Sequence, residues 1–309
     1  MCAKRNATAR RPVIVARGRD DIVVVVTNFL TFDIEEWFRV NYRNCSIPVA
    51  ARDMNLERLV NNFLDLCDEY CARCTFFVLA TVAETYPSLV RSIHARGHEV
   101  ASHGYSHRSL SAMTESEFQE DTLKARNILQ AAIGCEVIGY RAPSFSVSRS
   151  NIDWYYRVLS AAGFRYSSSV FPGKTYLYGI PGFPDQPHRP VLHGYEVGLV
   201  EYPISRVNVL GSSIPFYMRL FPARLLTRMV RARNRRGESV MLYLHPREID
   251  PDQPRLRMPR LQALIHYWGV GGCEARLRYL LAAKPPLSRV CDHLAAFTSR
   301  PPLESEYVL

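Results

Sequence analysis

The chain has 309 residues, 47% hydrophobic and 22% charged, and carries 39 basic against 29 acidic side chains for a formal net charge of +10. That balance supports a buried core and excludes wholesale disorder. No apolar stretch follows the basic N-terminus, and the first apolar run, Ile22 to Val26, is far too short to span a bilayer. The default expectation is therefore a cytoplasmic chain whose cysteines, Cys2, Cys45, Cys67, Cys71, Cys74, Cys135, Cys273 and Cys291, are reduced thiols.

Residues 1 to 20 are Arg-rich and are expected to lack structure. After them, β-branched or aromatic runs alternate with helical patterns. The strand-like runs are Ile22–Phe32, Thr75–Ala80, Glu99–Ser102, Val137–Arg141, Arg165–Ser168, Leu199–Ser205 and Val240–His245. Asn55–Tyr70 places Leu56, Leu59, Val60, Phe63, Leu64 and Cys67 on one helical face, and Thr114-Glu115-Ser116-Glu117 reads as a capping box opening a helix to Ala132. Ser150–Ala162 reads as a helix stopped by Gly163. Strands alternating with helices imply a parallel sheet, and about seven such units suit a closed or nearly closed barrel.

From Phe171 to Gly194 prolines and glycines punctuate a long loop, a candidate groove wall or lid. The Arg219–Arg236 stretch, with seven arginines, reads as a solvated helix face; it could attract an anion, but no nucleic-acid motif accompanies it. Beyond residue 250 a turn-rich Asp250-Pro251-Asp252-Gln253-Pro254 leads to helices near Arg260–Trp268 and Glu274–Ala283. The expected organisation is a basic tail over 1–20, a barrel over 21–250, and a helical extension over 251–309 packed on it.

The residues that carry chemistry fall at the C-terminal ends of the strand-like runs, the face of a (β/α) barrel where catalytic groups collect. Asp33, Glu35 and Glu36 follow the first run, His103 and His107 the third, Arg141 the fourth and His245 the last. His103-Gly104-Tyr105-Ser106-His107 spaces two imidazoles so that they can share a metal ion. A carboxylate from another strand end would complete three protein ligands and leave a position for water. A buried Arg141 needs a carboxylate, and Asp33 is the candidate. His245 titrates near working pH and can protonate a leaving amine. Cys67, Cys71 and Cys74 have the C-x3-C-x2-C spacing of some iron–sulfur ligands. They sit at a helix end running into a strand, so they read as core or surface thiols. Trp154, Tyr155 and Tyr156 read as helix packing.

Thr31-Phe32-Asp33-Ile34-Glu35, Ser102-His103-Gly104-Tyr105-Ser106-His107, Arg141-Ala142-Pro143-Ser144-Phe145-Ser146 and Leu242-Tyr243-Leu244-His245-Pro246 resemble the successive motifs of the NodB-homology polysaccharide deacetylases (carbohydrate esterase family 4). The resemblance spans residues 22–250. The segment from Tyr243 to Arg255, with the extension after it, resembles the subgroup found with exopolysaccharide and exosortase (XrtA/PEP-CTERM) loci. Gly211–Arg219 departs from that subgroup, whose glycine-rich run is longer. The resemblance implies an α/β fold, a distorted (β/α) barrel of about seven strands, with a divalent metal, in the first place Zn²⁺. It implies Asp33 as general base, Arg141 as its partner, His245 as general acid, and His103 and His107 as ligands. Ile34 stands where many members have the ligand Asp, which leaves Glu35, with Glu36 as the alternative. Asp153, beside Trp154, would match the residue that supports His245.

The implied function is metal-dependent removal of N-acetyl groups from acetamido sugars of an exopolysaccharide or its lipid-linked precursor. The enzyme would be cytoplasmic or peripheral at the inner membrane face, and its substrate-contacting residues are unassigned. An allantoinase-like amidohydrolase and a non-catalytic saccharide-binding module are the alternatives.

Overall fold

The run Phe29-Leu30-Thr31-Phe32-Asp33-Ile34 is buried along its whole length, as a strand covered on both faces must be. It is β1 (Phe29–Ile34) of a seven-stranded sheet. The others are β2 (Thr75–Val78), β3 (Glu99–Ser102), β4 (Gly139–Tyr140), β5 (Tyr166–Ser167), β6 (Val200–Glu201) and β7 (Met241–Leu244). The structure is a computed structural model that describes residues 13–15, 24–37, 55–175, 178–209, 212–215 and 218–298. The spatial order is β6-β5-β4-β3-β2-β1-β7, with every neighbouring pair parallel. The sheet therefore curls into an open (β/α) barrel. Among the described residues β6 and β7 do not pair; the Met241 N–H reaches across to Ser205 Oγ at 2.9 Å. Six of the seven strand-like runs contain one of these strands, and the first, Ile22–Phe32, overlaps β1, which runs on to Ile34.

Alternation along the strands divides the apolar side chains between two cores. Leu30, Phe32, Ile34, Phe76, Val78 and Val100 face outward. There they meet α1 (Leu56–Glu69), whose Phe63 ring lies 4.3 Å from that of Phe32. Phe29, Phe77, Ala101, Tyr166, Val200, Met241 and Tyr243 fill the barrel interior. The remaining cover comes from α2 (Ala80–Thr85), α3 (Pro87–Ala95), α4 (Glu115–Ile133), α5 (Ile152–Ala161) and α6 (Ala223–Arg235). The α4 N-terminus carries the expected capping box on Thr114 and Glu117, and Tyr155 and Tyr156 of α5 are fully buried packing residues.

Past β7 come α7 (Arg260–Tyr267), α8 (Cys273–Ala282) and α9 (Val290–Thr298). Leu277 and Leu280 of α8 join the outer core with Leu226 and Val230 of α6. Val290 and Leu294 of α9 enter the barrel interior from below. The Val290 N–H donates to Thr75 Oγ1 at 2.9 Å, and the Cys291 N–H to Glu99 Oε2 at 3.0 Å. Thr75 and Glu99 are the first residues of β2 and β3, so α9 forms the floor of the barrel, at the end opposite the strand C-termini.

Two expectations need correction. The tail over residues 1–20 contains a strand, Val13–Val15, paired antiparallel with Val24–Val26. Three consecutive β-branched residues favour that extended ribbon; the rest of the tail lies outside the described residues. The long loop after Phe171 leads into a short hairpin, Val191–Leu192 with Tyr195–Glu196. A second hairpin pairs Arg206–Val209 with Ser212–Pro215, and its second strand falls in the Gly211–Arg219 segment expected to be shortened.

Two histidines outside the strand ends make stability pH-dependent. Burial pushes His188 down to about 4 and, with the help of nearby Arg247 and Arg219, His266 down to about 3, both from 6.5. Their folded-state values are depressed, so the unfolded chain takes up protons first as pH falls. Stability is whole above about pH 6.5 and declines towards pH 4, by up to about 1.4 kcal/mol per pH unit for each histidine. Urea unfolding at pH 7, 6 and 5 should show the loss, and the His188→Gln/His266→Gln double variant should reduce it, leaving the share of His98, which burial also pushes down to about 4. A wild-type profile flat from pH 7 to 5 rules this out.

Candidate functional site

Side-chain alternation settles which carboxylates face the interior. Asp33 points into the barrel, Ile34 outward into the helix-facing core, and Glu35 inward again, with Asp33 1% and Glu35 3% exposed. A ligand in the place of Ile34 would face α1, so the one-residue skip is what keeps a carboxylate in the site. Glu36 is buried as well, but it is not among the residues that group with the histidines.

His103 follows β3 directly. Its Nδ1 is 3.0 Å from the Arg141 carbonyl oxygen, which fixes that nitrogen as the donor and turns the Nε2 lone pair towards Glu35. His107 sits at φ 57°, a conformation costly for a non-glycine residue, and it is reached through Gly104 at φ 81°. Asp121 of α4 holds the loop between them: its carboxylate accepts from the Tyr105 N–H at 2.8 Å and the Ser106 N–H at 2.9 Å. Any side chain at Gly104 would crowd that carboxylate, 3.2 Å from a Cβ there, as well as take on the strained φ. Nothing in the sequence distinguished Asp121 from the other acids of its helix.

Glu35, His103 and His107 offer ligand atoms that all lie within 4.8 Å of one another. Nε2 of His107 is in direct contact with Glu35 Oε2, and Nε2 of His103 is 3.6 Å from it. That oxygen, fully buried, accepts no well-formed hydrogen bond. Burial alone would raise the Glu35 carboxyl, but His107 and His103 outweigh it and hold it well below the usual carboxylate range. Burial likewise opposes the charge on His103, yet Glu35 and Asp33 lift it above its ordinary value. An anionic oxygen without a proper donor, facing two imidazole nitrogens, fits a divalent cation in a two-histidine, one-carboxylate site. The other Glu35 oxygen, Oε1, is taken by Arg247 Nη1 at 2.8 Å, so Oε2 is the oxygen that faces the two imidazoles.

Arg141 is wholly buried and its donors are accounted for. It gives Nη1 to Asp33 Oδ1 at 2.6 Å and to Thr31 Oγ1 at 2.8 Å, Nε to the Ser168 carbonyl at 3.0 Å, and Nη2 to Ser168 Oγ at 2.9 Å. Its guanidinium lies 3.9 Å from the centre of the Phe77 ring. Asp33 is thereby fixed by one oxygen, and its other, Oδ2, faces His245 Nε2 at 3.9 Å.

His245 ends β7. The sequence expectation gave its support to Asp153, with Trp154 alongside; the structure places neither there. Asp153 is half exposed on α5 and pairs with His193 Nε2 at 2.9 Å, while Trp154 packs on Phe118. The helix presents position 153 to solvent. Glu248 stands beside His245 instead: Oε2 accepts the His245 N–H at 2.9 Å and lies 3.4 Å from Nδ1. Arg219 Nε donates to the other Glu248 oxygen at 2.6 Å and also binds the carbonyls of His266 and Trp268. Although burial opposes it, Arg219 with His245 keeps the Glu248 carboxyl far below its ordinary range. Arg219, read as part of a solvated charge run, is thus a clamp between the His245 turn and α7.

Glu248→Gln keeps the side chain's size but removes the charge that orients His245. The expected result is a 10- to 100-fold fall in kcat with KM little changed, the scale of an orienting group's loss. Equal effects on kcat of Glu248→Gln and Asp153→Asn would contradict this placement.

Two family models match the chain: polysaccharide deacetylase over residues 29–166 and a domain of unknown function (DUF3473) over residues 168–287. A peptidoglycan-N-acetylglucosamine deacetylase of Bacillus cereus is 30% identical over 113 residues, 37% of this chain and 41% of its own length. The chain spans between 38% and 42% of the length of the first curated relatives it matches. Among solved structures, one assigned as a polysaccharide deacetylase of Mycobacterium smegmatis aligns with a TM-score of 0.54 at 22% identity, covering 98% of this chain and 99% of the other. Puue allantoinase aligns with a TM-score of 0.57 at 16% identity, covering 90% and 92%. These likenesses show the fold, and the family match with the curated relatives supports the NodB-type polysaccharide deacetylase family, whose members are carbohydrate esterases acting on C–N bonds.

Proposed function

We propose that this chain, a barrel of the polysaccharide deacetylase type, hydrolyses N-acetyl groups from acetamido sugars with a divalent metal held by Glu35, His103 and His107. The observation that carries the reading is the convergence of that ligand set with Asp33, Arg141 and His245 at one end of the barrel. A bound Zn²⁺ would supply Lewis acidity to the acetyl carbonyl and to the attacking water. Asp33, anchored through Oδ1 by Arg141, turns Oδ2 to the interior, where it takes the proton of the attacking water. His245, held by Glu248, delivers a proton to the amine nitrogen as the C–N bond breaks, and acetate departs. The buried walls of Tyr243 and Phe145 keep bulk water from the reacting atoms.

A finer reading takes the substrate to be an exopolysaccharide or its lipid-linked precursor, as in the exosortase-associated subgroup. It rests on the sequence resemblance, joined by Arg224, Arg228, Arg231 and Arg235, which lie exposed along α6 as a cationic face for an anionic lipid. No helix among the described residues is long and apolar enough to cross a membrane. The allantoinase-like alternative is favoured only by the shared fold.

The test is mass-spectrometric: acetyl loss from a panel of acetamido-sugar oligomers, alongside a small cyclic amide, with metal-replete protein. Acetyl loss should stop in excess chelator and return with Zn²⁺. Undiminished turnover in chelator, or turnover of the cyclic amide alone, overturns the reading.

A further inference from the structure

Behind the barrel floor lies a second cluster of metal-binding side chains. Cys67 is in the last turn of α1, Cys74 directly precedes β2, and His98 directly precedes β3. The chain thus brings them together at the N-terminal ends of the strands, opposite Glu35 and its histidines. Cys67 and Cys74 are fully buried and His98 is 1% exposed. Their ligand atoms lie within 4.8 Å of one another, and both cysteines are free thiols.

We propose that Cys67, Cys74 and His98 form a structural site for a thiophilic divalent ion, Zn²⁺ foremost, separate from the ion of the deacetylase site. Three observations converge on it. The two Sγ atoms are 3.6 Å apart. Two thiolates at ordinary Zn–S distances in a tetrahedral shell stand about 3.8 Å apart, so the pair needs almost no movement. His98 Nδ1 presents its lone pair and takes only a long 3.3 Å bond from the Cys74 N–H, so little is lost if it turns to an ion instead; Nε2 then carries the ring proton. Charge also balances. Binding releases one proton from each thiol, and two thiolates with a neutral imidazole leave a divalent ion with no net charge, which burial tolerates.

The ion would pin the end of α1 to the starts of β2 and β3. Three protein ligands leave a fourth position for a water, but the site is buried and remote from the strand C-termini, which suits holding the fold rather than turning over substrate.

Cobalt substitution tests this on the intact chain, because the two sites differ in donors. The Glu35 site contains no sulfur, so a thiolate-to-cobalt charge-transfer band in the near ultraviolet reports a cysteine-bound ion, and the cysteine variants assign it to Cys67 and Cys74. Wild-type protein should take up two Co²⁺ per chain and show the band. Cys74→Ser should lose the band and one ion; His103→Ala/His107→Ala should keep the band and lose the other ion. Cys71→Ser, altering the exposed neighbour, should change neither. Wild-type protein that binds cobalt without the band, or that shows Cys67 and Cys74 joined as a disulfide, overturns the proposal. If Cys74→Ser does not fold, the wild-type spectrum still decides. A failed deacetylase assay would leave these spectra unaffected, so the two readings stand or fall apart.

Discussion

Arg141→Met should be among the most destabilising single changes in this protein, costing about 3–5 kcal/mol, the usual loss when one partner of a buried ion pair is removed. The reason is in the accounting of its donors. Arg141 and Asp33 are both shut away from water, and the guanidinium also satisfies Thr31 and the Ser168 carbonyl. Methionine would fill much of the volume over Phe77 but leave Asp33 as an uncompensated buried charge. Urea unfolding should therefore show a large shift in midpoint at unchanged slope. Adding Asp33→Asn should recover a substantial part of the loss, because the double variant has no unpaired charge. If Arg141→Met costs under 1 kcal/mol, or the second change recovers nothing, the ion pair does not carry the stability assigned to it.

Asp33→Asn alone separates chemistry from folding. Asparagine keeps the shape and can still accept from Arg141, but it cannot take a proton from water. The expected loss in kcat is 10²- to 10⁴-fold, the range of a general base, with metal content unchanged because Asp33 is outside the ligand set. His103→Ala should lower both metal content and rate. A variant at position 33 that loses its metal along with its activity would identify Asp33 as a ligand and not as the base.

Much of this was legible in the sequence, for identifiable reasons. Most of the seven strands were visible as short apolar or β-branched runs between helical patterns, and β1 is so uniformly apolar that an Asp near its end stands out. Glu35 was favoured by the motif resemblance, and period-two geometry explains it: residue 33 and residue 35 share a face, and Ile34 cannot. Arg141 was legible as the partner of Asp33 because a buried arginine needs an anion. Glu248 was not identified, although His245-Pro246-Arg247-Glu248 carries the signature of a capping box, with an acid three residues into the turn. The family resemblance points to Asp153, but the phase of α5 turns that side chain to solvent, where it meets His193. Asp121, Arg219 and His98 were beyond reach, since each acts across a separation that only the fold closes. His98, for instance, meets Cys74 over 24 residues.

The floor of the barrel has a consequence for how the molecule is made. Every strand precedes α9, yet Val290 and Leu294 fill the interior between Phe29, Tyr166 and Tyr202, and Val290 and Cys291 bond the first residues of β2 and β3. A nascent chain can assemble all seven strands on the ribosome and still have an open lower end with aromatic rings exposed. α9, which emerges after all seven strands, completes a core begun by β1, so these contacts of long sequence separation close late. Until then the partly built barrel presents an apolar hole, the kind of surface a chaperone shields. A chain cut after α8 would remain in that unfinished state.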